Sequence, residues 1–321
     1  MLKPRIQLEN RESLKDSIPL DTPYVVFIDP SSRCNFACGY CPNRIMKNKS
    51  IMDFGLYKKI IDQISEFPKK IKVLRLYMMG EPLLNPRFFD MVAHAKSKGV
   101  AEKIDTTTNA SLIKHIFNYP AIDCGLDRIN ISVAGMNAAQ YKEHAGHSID
   151  FDKFVDDITN LYKNKKQCEI IIKINGDILS EEEKQKFEAT FSPISDGIYF
   201  EHTSECWPGF EVAGVNKDVG IYGQELTDLK VCPYVFYQMT IQSDGKVSLC
   251  FLDWDRQLII GDVKDTSVKA IWDSQLLKWF QIQMLRGHRD KIKMCKQCNQ
   301  LRYGMPVNLD DSAEELLNRI V

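Results

Sequence analysis

The chain has 321 residues, 44% hydrophobic and 26% charged, an ordinary globular composition that excludes wholesale disorder and leaves room for one large catalytic unit with an appendage. Forty-two Lys and Arg against 43 Asp and Glu give a net charge of -1, so no overall field draws the chain to nucleic acid or an anionic membrane. No apolar run reaches the ~20 residues that span a bilayer, and Met1–Pro19 lacks the apolar core of a signal peptide. A cytoplasmic location is therefore expected. There the ten cysteines read as metal ligands or reactive thiols rather than disulfides.

In chain order, Tyr24–Ile28 reads as a buried strand between Pro23 and Pro30. It feeds Cys34-Asn35-Phe36-Ala37-Cys38-Gly39-Tyr40-Cys41, a C-x₃-C-x₂-C loop. Leu56, Ile60, Ile61 and Ile64 predict a helix within Asp53–Phe67. Further strands are predicted at Val73–Met78, Lys103–Thr107, Ile129–Val133, Cys168–Ile174 and Gly197–Phe200, with helices near Pro86–Lys98, Ser111–Asn118, Phe151–Lys163 and Glu181–Thr190. Six such β-then-α units predict an α/β fold with a parallel sheet partly or wholly closed into a barrel. Its chemistry should gather at the C-terminal strand ends. Beyond it, Tyr237–Gln242 and Lys246–Phe251 read as a hairpin around Ser243-Asp244-Gly245, with Cys250 on the returning strand. A helix over Val268–Leu285 leads to Cys295-x₂-Cys298.

Three thiolates on one short loop can each hold one iron of a [4Fe–4S] cube and leave the fourth iron without a protein ligand. Zinc is the alternative, although structural zinc takes four ligands and no histidine lies close to this loop in sequence. Cys34, Cys38, Tyr40 and Cys41 spell C-x₃-C-x-aromatic-C, and here the chain resembles the radical S-adenosylmethionine (SAM) superfamily. That resemblance implies a six-stranded partial (β/α) barrel of TIM type. It also implies that SAM chelates the open iron through its amino and carboxylate groups. An electron from a donor such as flavodoxin or ferredoxin then cleaves SAM to methionine and a hydrogen-abstracting 5′-deoxyadenosyl radical.

Met79-Gly80-Glu81-Pro82 resembles the family's Gly-Gly-Glu-Pro, with Met79 in place of the first glycine; the resemblance gives Gly80 and Glu81 the methionyl ammonium of SAM. Thr108-Asn109-Ala110 resembles Thr-Asn-Gly. Asn109, and Ser132 after the fourth strand, suit the ribose and carboxylate of SAM or serve equally as helix caps. Ile174 is carried over as an apolar wall for adenine.

Cys232, Cys250, Cys295 and Cys298 supply four thiolates for zinc or an iron–sulfur cluster. Gly261-Asp262-Val263, Ala270-Ile271-Trp272 and Cys295-Lys296-Gln297-Cys298 resemble the C-terminal region of radical SAM proteins with a SPASM or twitch domain. Four ligands spaced x₁₇, x₄₄, x₂ fit the twitch-like arrangement with one auxiliary [4Fe–4S] cluster, as in the aminocyclitol dehydrogenases of this group. The expected division is a barrel over 20–215, a small auxiliary-cluster domain over 228–305 and a C-terminal helix over 306–321.

A cluster held by four cysteines has no vacant position, so electron transfer is its expected task. Hydrogen abstraction from a carbinol carbon, then loss of a proton and one electron, would give a ketone. Glu201, His202 and Glu205, just past the sixth strand, are the candidate bases; the plainer reading is a solvated loop. Cys206, beyond the same strand, could instead return a hydrogen atom to the opposite face of a substrate radical and make the enzyme an epimerase, or be a small buried filler. Cys124 and Cys168 read as packing.

Only 33 residues precede Cys34, fewer than the leader-gripping domain of many peptide-modifying relatives. A small polar substrate is therefore expected: a sugar, aminosugar or cyclitol, free or nucleotide-linked. Peptide modification is the alternative. The basic runs Lys69-Lys70, Lys163–Lys166 and Arg286–Lys293 are short and lack aromatic interleaving, so nucleic acid is not an expected partner.

Overall fold

The computed structural model describes residues 12–113 and 124–321. Its spine is one nine-stranded sheet in the order β6-β5-β4-β3-β2-β1-β7-β8-β9. The strands β1 (Val25–Ile28), β2 (Ile71–Arg75), β3 (Ala101–Thr108), β4 (Arg128–Val133), β5 (Glu169–Asn175) and β6 (Gly197–Glu201) lie in sequence order. Each neighbouring pair is parallel, as strands joined by crossovers must be. β6 is an edge and does not close on β1, so this part is a partial barrel. Its strands are buried on both faces, and Ile170, Ile171, Ile172 and Ile174 of β5 read accordingly as a continuous apolar run.

The helices begin where side chains satisfy the free N–H groups of a first turn. Asp53 accepts from Leu56 N–H ahead of helix Phe54–Ile64, which buries Tyr57, Ile60, Ile61 and Ile64. Ser180 and Glu183 form a capping box for Glu181–Phe191. Helices also occupy Phe88–Lys98 and Phe151–Asn164 as expected. The helix expected over Ser111–Asn118 lies mostly outside the described residues; its first three form a turn. A helix at Ala138–Ala145 was not foreseen. It buries only Tyr141 and Ala145, too few apolar positions to register as a period.

Three expectations are corrected. The second strand ends at Arg75 rather than Met78; Leu76 and Tyr77 are apolar because they are buried beyond the strand. Cys250 is not on the returning strand, since β8 (Lys246–Ser248) stops two residues earlier, after an irregularity at Val247/Ser248. The resulting bend lets Leu252 N–H reach the Cys250 sulfur at 3.5 Å. The helix over Val268–Leu285 is two helices, Val268–Trp272 and Gln275–Leu285, because Ser274 caps the second through Leu277 N–H.

β7 (Gln238–Ile241) pairs in parallel with β1, and β8 and β9 (Ile259–Asp262) follow antiparallel. The C-terminal cysteines therefore hang on an extension of the barrel sheet. Helix Ala313–Ile320 closes the chain, burying Leu316 and Ile320. Among the described residues no helix is long and apolar enough to cross a membrane.

Candidate active site

A cavity of about 930 Å³ opens over the C-terminal strand ends. Cys34, Cys38, Tyr40 and Cys41 reach it from the loop after β1, Gly80 and Glu81 from the loop after β2. Asn109, Ser132, Ile174 and Glu201 reach it from the ends of β3, β4, β5 and β6.

The cysteine loop is held by backbone contacts on two sides. Ala37 N–H donates to Ala145 O at 2.8 Å and Gly39 N–H to His144 O at 3.2 Å, so the unforeseen helix spends its free terminal carbonyls on this loop. Opposite, Glu81 N–H donates to Arg33 O at 2.8 Å, and Asn43 Nδ2 donates to both Ser32 O and Met79 O at 2.8 Å. A Cβ on Gly80 would lie 2.0 Å from Ser31 O and 2.3 Å from Arg33 O. Gly80 is thus the position in Met79-Gly80-Glu81 that demands glycine, and Met79 is accommodated.

Burial pushes all three loop thiols up, Cys38 to about 12 and Cys41 to about 11; neighbouring thiols add to the effect at Cys38 and Cys41, and the Glu81 charge at Cys34. Such a set becomes thiolate only against a strong positive charge. Among the described residues no three His, Cys, Asp or Glu converge as tightly as a single ion requires. A four-iron cube takes its ligands at separate corners, so three thiols on one loop that line the same cavity fit it.

Glu81 is 2% exposed. Its Oε1 accepts from Leu83 N–H at 3.0 Å and Thr108 Oγ1 at 2.6 Å, and its Oε2 from Asn109 N–H at 2.8 Å. Burial raises its pKa against these three donors. The carboxylate braces the β2 and β3 ends while lining the cavity. Asn109 Nδ2 in turn donates to Asn35 Oδ1 at 2.9 Å, which ties the β3 end to the cysteine loop. Ala110 has φ 57°, a left-handed conformation natural to the glycine usual in this motif and strained for alanine.

The four C-terminal cysteines also come together. Burial raises Cys232 and Cys295 to about 12 and lifts Cys250 and Cys298 as well; Cys232, Cys250 and Cys295 are pushed further by neighbouring thiols of the group. Asp253 fixes the Cys250 bend by accepting from Gln257 and Leu258 N–H at 2.7 and 2.9 Å. An aromatic wall stands between these cysteines and the cavity: Phe27 stacks on Phe251 at 5.3 Å, and Tyr234 meets Phe251 edge-on at 5.6 Å. Sequence reading missed this wall, because its rings come from three distant segments.

Of the candidate bases, Glu201 and His202 line the cavity and Glu205 does not. Thr203, Ser204, Cys206 and Trp207 line it on either side of Glu205. Glu201 Oε2 receives Lys173 Nζ at 2.6 Å. His202 Nδ1 lies 2.7 Å from Asp177 Oδ1, an ion pair when the ring is protonated. Cys206 is 5% exposed and lines the cavity, with the Ser204 hydroxyl 3.2 Å from its sulfur. Asn175, which sequence reading passed over, also lines the cavity and donates to Thr203 Oγ1 at 2.6 Å. Cys168 is buried and Cys124 half-buried.

A partial α/β barrel with three cysteines at its mouth and four more beside it is the architecture of an iron–sulfur enzyme. Residues 28–192 match the profile of the radical SAM superfamily and 232–299 that of the SPASM iron–sulfur cluster-binding domain. The chain belongs to the radical SAM superfamily, and its cofactors are SAM and two [4Fe–4S] clusters, one SAM-binding and one auxiliary.

It is 24% identical to the tungsten-containing aldehyde ferredoxin oxidoreductase cofactor-modifying protein of Pyrococcus furiosus, over 80% of this chain and 82% of that one. It is 22% identical to the S-adenosyl-L-methionine-dependent 2-deoxy-scyllo-inosamine dehydrogenase of Niallia circulans, over 86% and 93%. The crystal structure of BtrN in complex with AdoMet and 2-DOIA shares the fold, with a TM-score of 0.56 and 19% identity over 89% and 97%. The chain is an oxidoreductase of this superfamily.

Proposed function

We propose that the enzyme dehydrogenates a carbinol carbon of a small, unphosphorylated polar substrate, a sugar, aminosugar or cyclitol, with Glu201 as the base. When bound, the SAM-binding cluster and SAM supply a 5′-deoxyadenosyl radical that takes hydrogen from an unactivated carbon. The chain's own residues do the rest. Cys34, Cys38 and Cys41 hold the first cluster; Cys232, Cys250, Cys295 and Cys298 hold the second, which accepts the substrate's remaining electron.

The observation that carries this reading is the situation of Glu201. Its charge acts both on Tyr40, in the first cysteine loop, and on Cys206, whose carbonyl receives the Cys298 thiol at 3.7 Å. A carboxylate whose charge is felt beside both cysteine sites is where a proton must leave if an electron passes from one side to the other. Lys173 Nζ, 2.6 Å from Oε2, holds it oriented.

The cavity's cations are also spoken for: Lys72 pairs with Glu12 at 2.7 Å, Arg75 with Asp105 at 3.8 Å and Lys173 with Glu201 at 2.6 Å. Among the described residues a diphosphate would find no spare positive charge in the cavity, which favours a free substrate over a nucleotide-linked one. The 2-deoxy-scyllo-inosamine dehydrogenase relative supports the same class. An acidic one-electron donor of flavodoxin or ferredoxin type belongs to this reading.

One observation favours a second outcome. Burial pushes the Cys206 thiol up to about 12, so it keeps its hydrogen at neutral pH and, at the cavity wall, is suited to donating it in an epimerisation. Anaerobic turnover of an aminosugar and cyclitol panel in D₂O separates the two. Dehydrogenation gives a product two hydrogens lighter, and Glu201→Gln slows its formation while 5′-deoxyadenosine is still made; Cys206→Ala leaves it unchanged. An epimer one mass unit heavier than the substrate, carrying deuterium from solvent and absent in Cys206→Ala, would replace the dehydrogenase reading.

A further inference from the structure

Helix Gln275–Leu285 turns Leu277, Phe280 and Met284 into the core and leaves Leu276 44% and Trp279 49% exposed. Leu276, Trp279 and Arg286 are spaced three and seven residues apart and so share one helical face. The stretch that follows, Arg286 to Lys296, holds five basic residues and a single acid, Asp290, in a chain whose net charge is only -1. Arg286, Lys291, Lys293 and Lys296 are exposed. The stretch backs directly onto the second cysteine site. Cys295 lies within it, the Arg289 guanidinium donates to Cys298 O, and its charge draws down the pKa of Cys232, Cys295 and Cys298 against the effect of their burial.

We propose that this face, an exposed tryptophan and leucine with Arg286 beside them and an exposed basic stretch running on from it to the second cysteine site, is the docking surface for an acidic one-electron carrier protein that serves the second cluster. The inference rests on the oxidative reading above, whose electron balance gives such a partner a task. Each ketone formed consumes one electron in cleaving SAM and releases one from the substrate radical after its proton has gone to Glu201. An oxidised carrier collects the released electron and becomes the reduced carrier that delivers the next. Electron-transfer encounters of this kind are small and weak, and opposite charge makes them fast. An apolar contact beside a basic stretch matches that pattern.

The test uses the anaerobic holoenzyme and a recombinant flavodoxin as probe, with binding followed by thermophoresis at low and high salt. The triple variant Arg286→Glu/Lys291→Glu/Lys293→Glu should bind about tenfold more weakly and lose most of its salt dependence. Trp279→Ala should weaken binding by about tenfold. Lys69→Glu/Lys70→Glu, a charge reversal at a different exposed basic run, should change nothing. Iron content equal to wild type verifies that each variant is loaded and folded.

Wild-type affinity and salt slope in the triple variant would overturn the proposal, as would equal weakening in the Lys69/Lys70 control. So would a dimer in sedimentation that Trp279→Ala dissolves, which would give the face to a second copy of the chain. Dithionite-driven turnover keeps the two readings apart. If ketone never forms yet the triple variant loses flavodoxin, the docking face stands and the oxidative reading falls. If ketone forms and the triple variant binds normally, the reverse holds.

Discussion

The two cysteine sites use the same ligand atom in opposite settings. Cys34, Cys38 and Cys41 lie on one short loop and all three line the cavity. Cys232, Cys250, Cys295 and Cys298 come from three separated segments, and none of them lines it; Tyr234, Tyr237 and Phe251 stand in front. The first site is locally encoded and open, the second globally assembled and screened. A ligand-deficient iron needs access for SAM, whereas electron transfer needs only proximity and gains from the exclusion of water. Access to the cavity thus distinguishes the two sites, as the proposed division between chemistry and electron transfer requires.

The sharpest way to break this comparison is one cysteine from each site. Cys34→Ala should reduce SAM cleavage to background, a loss of at least about 10³-fold. Cys250→Ala should keep 5′-deoxyadenosine formation within about threefold while ketone formation falls about 100-fold and roughly half the iron is lost. Product analysis by mass spectrometry with iron counting decides it; equal loss of SAM cleavage in both variants would mean that the sites do not divide the work.

Gly80→Ala asks how far the first site depends on backbone approach. The added methyl meets the Ser31 and Arg33 carbonyls, so the loops after β1 and β2 must part, at about 2–4 kcal/mol. Iron should be lost from the first site alone, visible as a lower Tm and a cluster spectrum reduced to that of the second. A variant with full iron and unchanged Tm would show that the loops part without penalty.

The smallest effect lies at the seam. Asp29, one residue beyond β1, is 1% exposed and neither carboxylate oxygen has a hydrogen-bond partner. Burial pushes its pKa from 3.8 to about 7, against the pull of Arg256, which pairs with Asp244 at 2.6 Å. The folded pKa is the higher one, so the wild type loses stability as pH rises from about 4 to 7 and levels off above. A carboxamide in its place does not titrate in this range. Asp29→Asn should therefore gain on the wild type between pH 5 and 8, by about 2 kcal/mol; a Tm difference that is the same at both pH values would contradict it.

Much of the fold was legible. β3 to β6 were anticipated to within two residues at either end, β5 because its buried isoleucines form a nearly continuous apolar run and the others because β-branched residues mark them. Helix Ala138–Ala145 was not legible, since its task is to present the His144 and Ala145 carbonyls rather than an apolar face. Glu205 was placed at the cavity with Glu201 and His202 because sequence proximity cannot tell which residues of a loop face inward. Asn43 and Asn175 carried no signal beyond being asparagines near strand ends. The basic stretch after Gln275–Leu285 was visible, but its position beside the second cysteine site was not.

Sequence alone picked out the two cysteine groups, because the spacing of Cys34, Cys38 and Cys41 is a covalent constraint within one loop and Cys295-x₂-Cys298 is another. It also determined the superfamily, through motifs that must follow particular strands. Only the tertiary structure decided that Gly80 bears on the cysteine loop, that the hairpin β7–β8 continues the barrel sheet beside β1, and that the charge of Glu201 acts on both Tyr40 and Cys206. Those relations join residues scores to hundreds of positions apart, and strand order, rather than local pattern, brings them together.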